Sequence, residues 1–381
     1  MRFGLGDGKL EHMFLTAIVF LLILSILVFV HELGHFLVAK KAGIKVEEFG
    51  FGLPPRVWGK KVGETIYSIN ALPIGGFVRL YGEDEAAKGK KEDNNRQFLY
   101  KSKKIRAAVT VAGVVMNFLL AVVIFSAIYT KIGIPTETDQ VMVVGVTSGS
   151  PAQNADLREN DIVLAVDGQT ITASREFIDI AGEKAGSEIV LEVSREGQRK
   201  SVQVVPRENP PEGEGPLGVA ISTLEMKFYP FWEMPIRGAV QGVKESLAWA
   251  GLIVGSLGEM VYQLVVAGQV PKDVTGPVGI FQITGQAAQM GWLPVLQLLA
   301  IISVNLAIVN ILPIPALDGG RLLFIGIEAI SGRRVRTKFE SYAHQIGMVV
   351  LLLLILLVTI SDVRRIFGGF DPLGFLRGIF R

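Results

Sequence analysis

The sequence has 381 residues, 50% of them hydrophobic, with a positive mean hydropathy and a formal net charge of +2. Near-neutrality argues against nucleic acid as the main partner, because phosphate backbones call for a basic excess, and the apolar content fits a mixture of membrane spans and water-soluble segments. The chain has no cysteine, which excludes disulfides, thiolate metal sites and thiol catalysis and leaves metal or nucleophile chemistry to His, Asp, Glu, Ser, Thr or Lys.

Residues 13–30 form an apolar run that flows directly into His31-Glu32-Leu33-Gly34-His35. A bilayer core takes about 20 mostly apolar residues as helix, so run and motif together predict a first transmembrane helix. The run is too long for a signal-peptide core and shows no small-residue cleavage site, so it reads as a retained span. Residues 40–106 are rich in Lys and Arg. Within them 65–69 and 77–81 alternate like strands, and Pro73-Ile74-Gly75-Gly76 reads as the turn of a membrane-associated β-hairpin over 65–81. A second span covers about residues 107–132, so 13–135 holds the first two transmembrane helices and the hairpin.

Residues 139–207 change character. Residues 141–146 read as a strand and 150–155 as a short helix with Pro151 near its start. Residues 162–166 form a strand closed by the Asp167-Gly168 turn. A helix over about 174–184 and strands at 188–195 and 200–205 complete a compact α+β domain. The Pro- and Gly-rich stretch 209–216 is a linker. It opens a segment over 208–292 in which 235–268 mixes apolar residues with Lys244, Glu245, Glu259 and Gln263. The third span starts near Leu293, breaks at Pro313-Ile314-Pro315 and Asp318-Gly319-Gly320, and resumes to Ile330. A fourth covers about 346–360, so 293–368 holds the last two spans, and 369–381 is a tail. The predicted fold is a polytopic α-helical membrane protein of about four transmembrane helices, with a membrane-associated β-hairpin and one inserted α+β domain.

Positive charge in short loops sets orientation. The 40–106 and 331–340 loops are the basic ones, which puts both in the cytoplasm and the 139–207 domain outside. If 235–268 crossed the membrane, Arg333, Arg334 and Arg336 would face out, so that stretch is placed at the interface as an amphipathic element. Arg364, Arg365 and Arg377 then lie outside, against the same rule.

His31 and His35 are four apart, so on a helix their imidazoles share one face and can share one zinc ion. Glu32 between them can act as general base on water acidified by the metal. The alternative is a polar cluster that pairs helices, but ionisable residues inside a span are costly and default to function. A catalytic zinc needs a third protein ligand and an open position. Asp318, set in an interrupted apolar helix, is the strongest candidate; its alternative is plain turn chemistry. With zinc at +2 and two carboxylates at −1 each, the site is formally neutral, which eases its burial. Asn310, in apolar sequence one to two turns before Asp318, suits either a substrate carbonyl or oxyanion or an interhelical hydrogen bond. Asn117, four after Gly113, has the same two readings, with helix packing favoured. Asn305 reads as structural, and His12 and His344 as interfacial histidines outside any paired spacing.

These residues give the chain a resemblance to the site-2 proteases, intramembrane zinc metalloproteases, and especially to their bacterial regulator-of-sigma-E protease branch. His31-Glu32-Leu33-Gly34-His35 in the first span and the stretch from Asn310 through Pro313 and Leu317 to Asp318-Gly319 in the third carry it. Residues 75–80, 113–117 and 303–306 also look like family elements. The resemblance implies His31, His35 and Asp318 as zinc ligands, one Zn2+ per chain, Glu32 as catalytic base and Asn310 as a substrate or transition-state contact. It further implies a multi-pass protein of the bacterial inner membrane with its active site toward the cytoplasm. Its reaction would be regulated intramembrane proteolysis, for example of anti-sigma factors or signal-peptide remnants. The 139–207 domain resembles a PDZ domain through residues 149–152 and 157–168; only one such module is present, where enterobacterial members of the branch look to have two.

The implied partners are the lipid bilayer and membrane proteins with a single transmembrane helix. A substrate helix must unwind before it can be cut, and each backbone group freed in lipid needs a partner. An extended substrate can gain those partners by adding to the hairpin at Gly75, Gly76, Phe77 and Val78. The PDZ-like domain could bind a peptide or a substrate C-terminus, or act as a size filter. The competing class is a non-catalytic membrane scaffold with a structural zinc and a PDZ-like peptide-binding module, but a closed structural site would need a fourth protein ligand.

Overall fold

The computed structural model describes residues 7–83, 95–211, 213–266 and 275–366. The predicted tail at 369–381 lies outside them. The chain divides into two compact units, residues 1–128 with 238–381, and Tyr129–Arg237.

Among the described residues, four helices are long and apolar enough to cross a membrane: Glu11–Lys41, Lys103–Ile132, Trp292–Ile311 and Lys338–Arg365. They belong to α1 (Asp7–Lys41), α2 (Lys103–Ile132), α7 (Trp292–Ile311) and α9 (Thr337–Ile366). Leucines 352, 353, 354, 356 and 357 of α9 are all more than half exposed, as a lipid-facing helix requires and water would not tolerate. The α7 helix stops at Ile311 and the chain resumes as α8 (Asp318–Ser331). Pro313 and Pro315 cannot donate to a helical ladder, so the interruption falls where the prolines do.

The strands after α1 depart from the predicted hairpin. Thr65–Leu80 is one continuous strand, β2, and its partner β1 is Val46–Val62. The reversal lies at Gly63-Glu64 rather than at 73–76. Gly75 looked like a turn residue because it is one by conformation, with φ of +77°, but it bends β2 instead of ending it. Residues 56–62 pair with 65–70, and β1 pairs a second time further back. Phe49 faces both Tyr67 and Val78, and Gly50 faces both Ser68 and Phe77. The 76–79 run is therefore an outer edge, with no strand beyond it among the described residues.

Two elements lie within the stretch predicted as linker and interfacial segment. One is α5 (Met234–Val265), which is not among the four membrane-length apolar helices. The other is α6 (Pro277–Met290), which no periodicity announced. It packs on α1, where Phe20 and Phe281 meet at 5.5 Å, and on α9, where buried Asp362 accepts from the Gly279 amide at 2.8 Å. That carboxylate satisfies one of the open N–H groups of the α6 N-terminus.

The second unit is the inserted α+β domain that the sequence predicts. Its strands are β3 (Ile134–Val146), β4 (Ile162–Val166), β5 (Gln169–Thr170), β6 (Ile189–Arg195), β7 (Gln198–Val204) and β8 (Val219–Lys227), with α3 (Pro151–Asn154) and α4 (Ser174–Glu183). The sheet order is β7-β6-β4-β3-β8, with β5 paired to β4. The domain outruns the predicted 139–207 boundary at both ends, because β8 pairs with β3 from Ile134↔Lys227 to Val146↔Val219. The Pro- and Gly-rich stretch before β8 is a loop inside the domain. Alternating inward residues such as Val141, Val143, Val163, Ile189, Leu191 and Val193 close its core.

Beside that core Asp161, fully buried, takes two hydrogen bonds of 2.7 Å from Arg195 and one of 2.9 Å from the Arg158 amide. Burial pushes its carboxyl up, but the Arg195 guanidinium and the amide outweigh that and hold it below the usual carboxylate range. A carboxyl depressed in the folded state stabilises above its unfolded value of about 3.9, and that contribution fades as pH falls toward the folded value. Asp161→Asn should cost about 3 kcal/mol. Hydrogen exchange of β4 and β6 amides at pH 7 should then quicken about 100-fold relative to wild type. The gap should narrow in paired measurements below about pH 4; equal exchange at pH 7 would show that the pair does not secure the domain.

Candidate metal centre

His31 and His35 sit one turn apart on the same face of α1 and are both buried. The His35 Nδ1 atom lies 2.7 Å from the Val109 carbonyl oxygen of α2. A carbonyl only accepts, so Nδ1 carries the proton and Nε2 presents a lone pair. The two Nε2 atoms are 3.2 Å apart. Asp318 Oδ2 lies 3.0 Å from His31 Nε2 and 3.3 Å from His35 Nε2. These three side chains are the one group of potential metal ligands of this kind among the described residues.

The triangle tests what could fill it. A tetrahedral ion with ligand bonds of about 2.0 Å has ligand–ligand edges of about 3.3 Å, close to the three edges here. Asp318 Oδ2 is buried with no hydrogen-bond donor of good geometry, and a carboxylate in that state needs a cation. Two imidazoles and one carboxylate are a zinc donor set of the open, catalytic kind.

Local backbone breaks place Asp318. Between α7 and α8, Ala316 adopts φ of +82°, a conformation that costs a non-glycine residue about 1–3 kcal/mol. The Ala316 amide donates to His344 Nδ1 of α9 at 2.9 Å, and Gly347 lets α9 pack directly on Pro315. Asp318 then opens α8 in its first turn, where the helix N-terminus favours a negative charge. His344, read from sequence as an interfacial histidine, thus holds the turn that carries Asp318.

Glu32 points into a cavity of about 470 Å³ whose lining includes His31, His35, Phe77, Val78, Asp318 and His344. Its Oε2 accepts from the Val78 amide at 3.0 Å. The outer edge of β2 is thereby anchored to the carboxylate between the two histidines. Of the predicted substrate residues, Phe77 and Val78 line the cavity. Gly76 lies against the Glu32 side chain and Gly75 packs on Val28. Asn310 is half-buried on α7 and is not among the residues lining the cavity. Asn117 is fully buried and sits 3.3 Å from His31 Nδ1, an interhelical contact of the kind the packing reading expects, with His31 as its partner. Sequence spacing could not reveal it, because the two residues are 86 positions apart. His12 is exposed and remote from the group.

Gly113 lies between Val109 and Asn117 on that face of α2. A Cβ there would stand 2.6 Å from His35 Nε2 and 2.8 Å from His31 Nε2. Only glycine lets α2 come this close to the two ring nitrogens.

The family described as peptidase family M50 matches residues 19–354 of the chain. Among its relatives, the zinc metalloprotease RasP of Oceanobacillus iheyensis is 30% identical, over 92% of this chain and 99% of the relative. RasP of Geobacillus kaustophilus is 32% identical over 92% and 98%. The regulator of sigma-W protease RasP of Bacillus subtilis is 30% identical over 92% and 99%. Among solved structures, the PDZ domain of an SdrC-like protein from Listeria monocytogenes aligns with 23% of this chain and 93% of its own, at 21% identity and a TM-score of 0.21.

Removal of the carboxylate tests the triangle. Asp318→Ala leaves two imidazoles, so bound zinc and proteolysis should fall together, with metal analysis after dialysis reading well under one ion per chain. Full zinc occupancy in that variant would mean that another residue completes the site.

Proposed function

We propose that in this chain, which belongs to peptidase family M50 and is an intramembrane zinc metalloprotease, His31, His35 and Asp318 hold the zinc and Glu32 is the general base. One observation carries the assignment: the metal-binding triangle and the Glu32 carboxylate open onto one cavity, and the same carboxylate is tied to an open strand edge. Zinc, when bound, supplies Lewis acidity toward a substrate carbonyl and toward water.

The protein's own groups do the rest. The Val78 amide fixes Glu32 Oε2, which leaves Oε1 to take the proton from the attacking water. Glu32 then returns that proton to the departing amine nitrogen. The scissile segment lies extended along residues 76–79, where main-chain pairing replaces the hydrogen bonds lost when its helix unwinds. Phe77 and Val78 form the wall against which its side chains rest.

The substrates are membrane proteins, and we assign them to the class with a single transmembrane helix, because one helix can enter laterally and unwind without dismantling a bundle. The Bacillus subtilis relative is named for regulation of sigma-W, which supports an anti-sigma factor as one substrate of this kind. We place the PDZ-like domain outside the cytoplasm and the zinc toward the cytoplasmic side, on the charge of the 40–106 and 331–340 loops. That domain serves recognition or exclusion of substrates, since the catalytic groups all lie in the other unit.

Glu32→Gln keeps shape and metal ligands but removes the base. Zinc content should persist while cleavage of a single-span substrate by the purified enzyme falls at least about 100-fold; near-normal turnover would remove Glu32 from the mechanism. Orientation has its own test in a chain without native cysteine. A cysteine at Ser201 should react with an impermeant thiol reagent in intact cells, and one at Ser331 should be protected. Labelling at Ser331 would overturn the four-span orientation.

A further inference from the structure

We infer that Asn117 is a positioning residue for the metal centre: its side-chain oxygen accepts the Nδ1 proton of His31 and thereby turns the His31 Nε2 lone pair toward zinc. The inference rests on the reading of His31 as a zinc ligand.

Three residues of α2 at successive four-residue spacing face the two histidines. The Val109 carbonyl takes the Nδ1 proton of His35 at 2.7 Å. Gly113 leaves room for both rings. Asn117, with no exposed surface, places its amide 3.3 Å from His31 Nδ1. One helix face thus meets the outward nitrogen of each imidazole, and the two contacts are equivalent if Asn117 presents an acceptor.

The amide as placed turns Nδ2 toward the ring and leaves Oδ1 buried with no partner. With a donor facing it, His31 Nδ1 would hold the lone pair, and Nε2 would hold the proton that blocks metal binding. The two ends of an amide have nearly the same shape, so a half-turn exchanges them within the same volume. That half-turn gives the orphaned oxygen a donor and frees Nε2 for the metal. A ligating imidazole whose other nitrogen donates to an oxygen is the usual second layer of a zinc site, and its loss weakens metal binding about 10- to 100-fold.

The sequence favoured helix packing for this residue, and packing and positioning predict different things. An aspartate at 117 also accepts the His31 proton; a leucine of similar size fills the space but accepts nothing. Zinc affinity should be measured by competition with a chromophoric chelator on the purified full chain, for wild type, Asn117→Leu, Asn117→Ala, Asn117→Asp and His31→Ala. Asn117→Leu and Asn117→Ala should bind zinc about 10- to 100-fold more weakly, while Asn117→Asp matches or exceeds wild type. Wild-type affinity in Asn117→Leu, or a loss in Asn117→Asp as large as in Asn117→Leu, would overturn the inference and leave a packing role. If wild type fails to take up one zinc, or His31→Ala still takes it up, the ligand assignment itself falls and the inference with it. A site lost only in His31→Ala keeps that assignment and sinks only the role of Asn117.

Discussion

Two imidazole nitrogens and a carboxylate oxygen meet at 3.0 to 3.3 Å in a helical unit whose outer faces are apolar. Without a cation those electron pairs repel, and in a medium of low dielectric the carboxylate alone costs several kcal/mol. With zinc the charge balances against Asp318 and Glu32, and the cluster can sit at membrane depth. The surrounding structure follows from this need. The α1 helix must carry polar side chains within an apolar span. The α7–α8 segment must break to deliver Asp318. The α2 helix must approach closely enough for Gly113 to touch both rings. Each of these local departures from an ordinary transmembrane helix serves the same few cubic ångströms.

The second constraint is the substrate backbone. Lipid offers no hydrogen bonds, so an unwound segment is stable only against another backbone. The β1–β2 pair answers this by folding twice on itself, which leaves 76–79 as an outer edge beside Glu32. The proposed binding edge and the proposed base are thus joined by one hydrogen bond, from Val78 to Glu32. A substrate that adds to this edge comes within reach of the base and the metal together, which is how orientation lowers a barrier. The Ala316 turn, held by His344, is a strained element in the lining of the same cavity, and strain of that kind collects at functional sites.

The four spans were legible because an apolar run of membrane length is seldom anything but a membrane helix, and the break before Asp318 because two prolines announce it. The domain around β4, α4 and β6 was legible from its strand alternation and its Asp167-Gly168 turn. The β1–β2 arrangement was not. Its first strand contains Pro54, Pro55 and several glycines, which local rules read as loop, and it exists only through double pairing with β2. The strand β8 was hidden behind a Pro- and Gly-rich stretch that signals an ending but proved to be a loop within the sheet. The α6 helix was missed because it buries faces against α1 and α9 and so lacks a simple polar side. At the metal centre, the spacing of His31, Glu32 and His35 was readable, since a helix converts sequence distance into direction. The partners of Asn117 and His344, which are His31 and the Ala316 amide, lie far away in sequence, so spacing could not name them.

The central claim is a single zinc held by two imidazoles and one carboxylate. X-ray absorption at the zinc edge of the purified, zinc-loaded full chain reads that ligand set directly. The spectrum should show the scattering pattern of two imidazoles, with light-atom ligands at about 2.0–2.1 Å and a coordination number of four to five. Three or more imidazoles, a single imidazole, or a six-oxygen shell would contradict it.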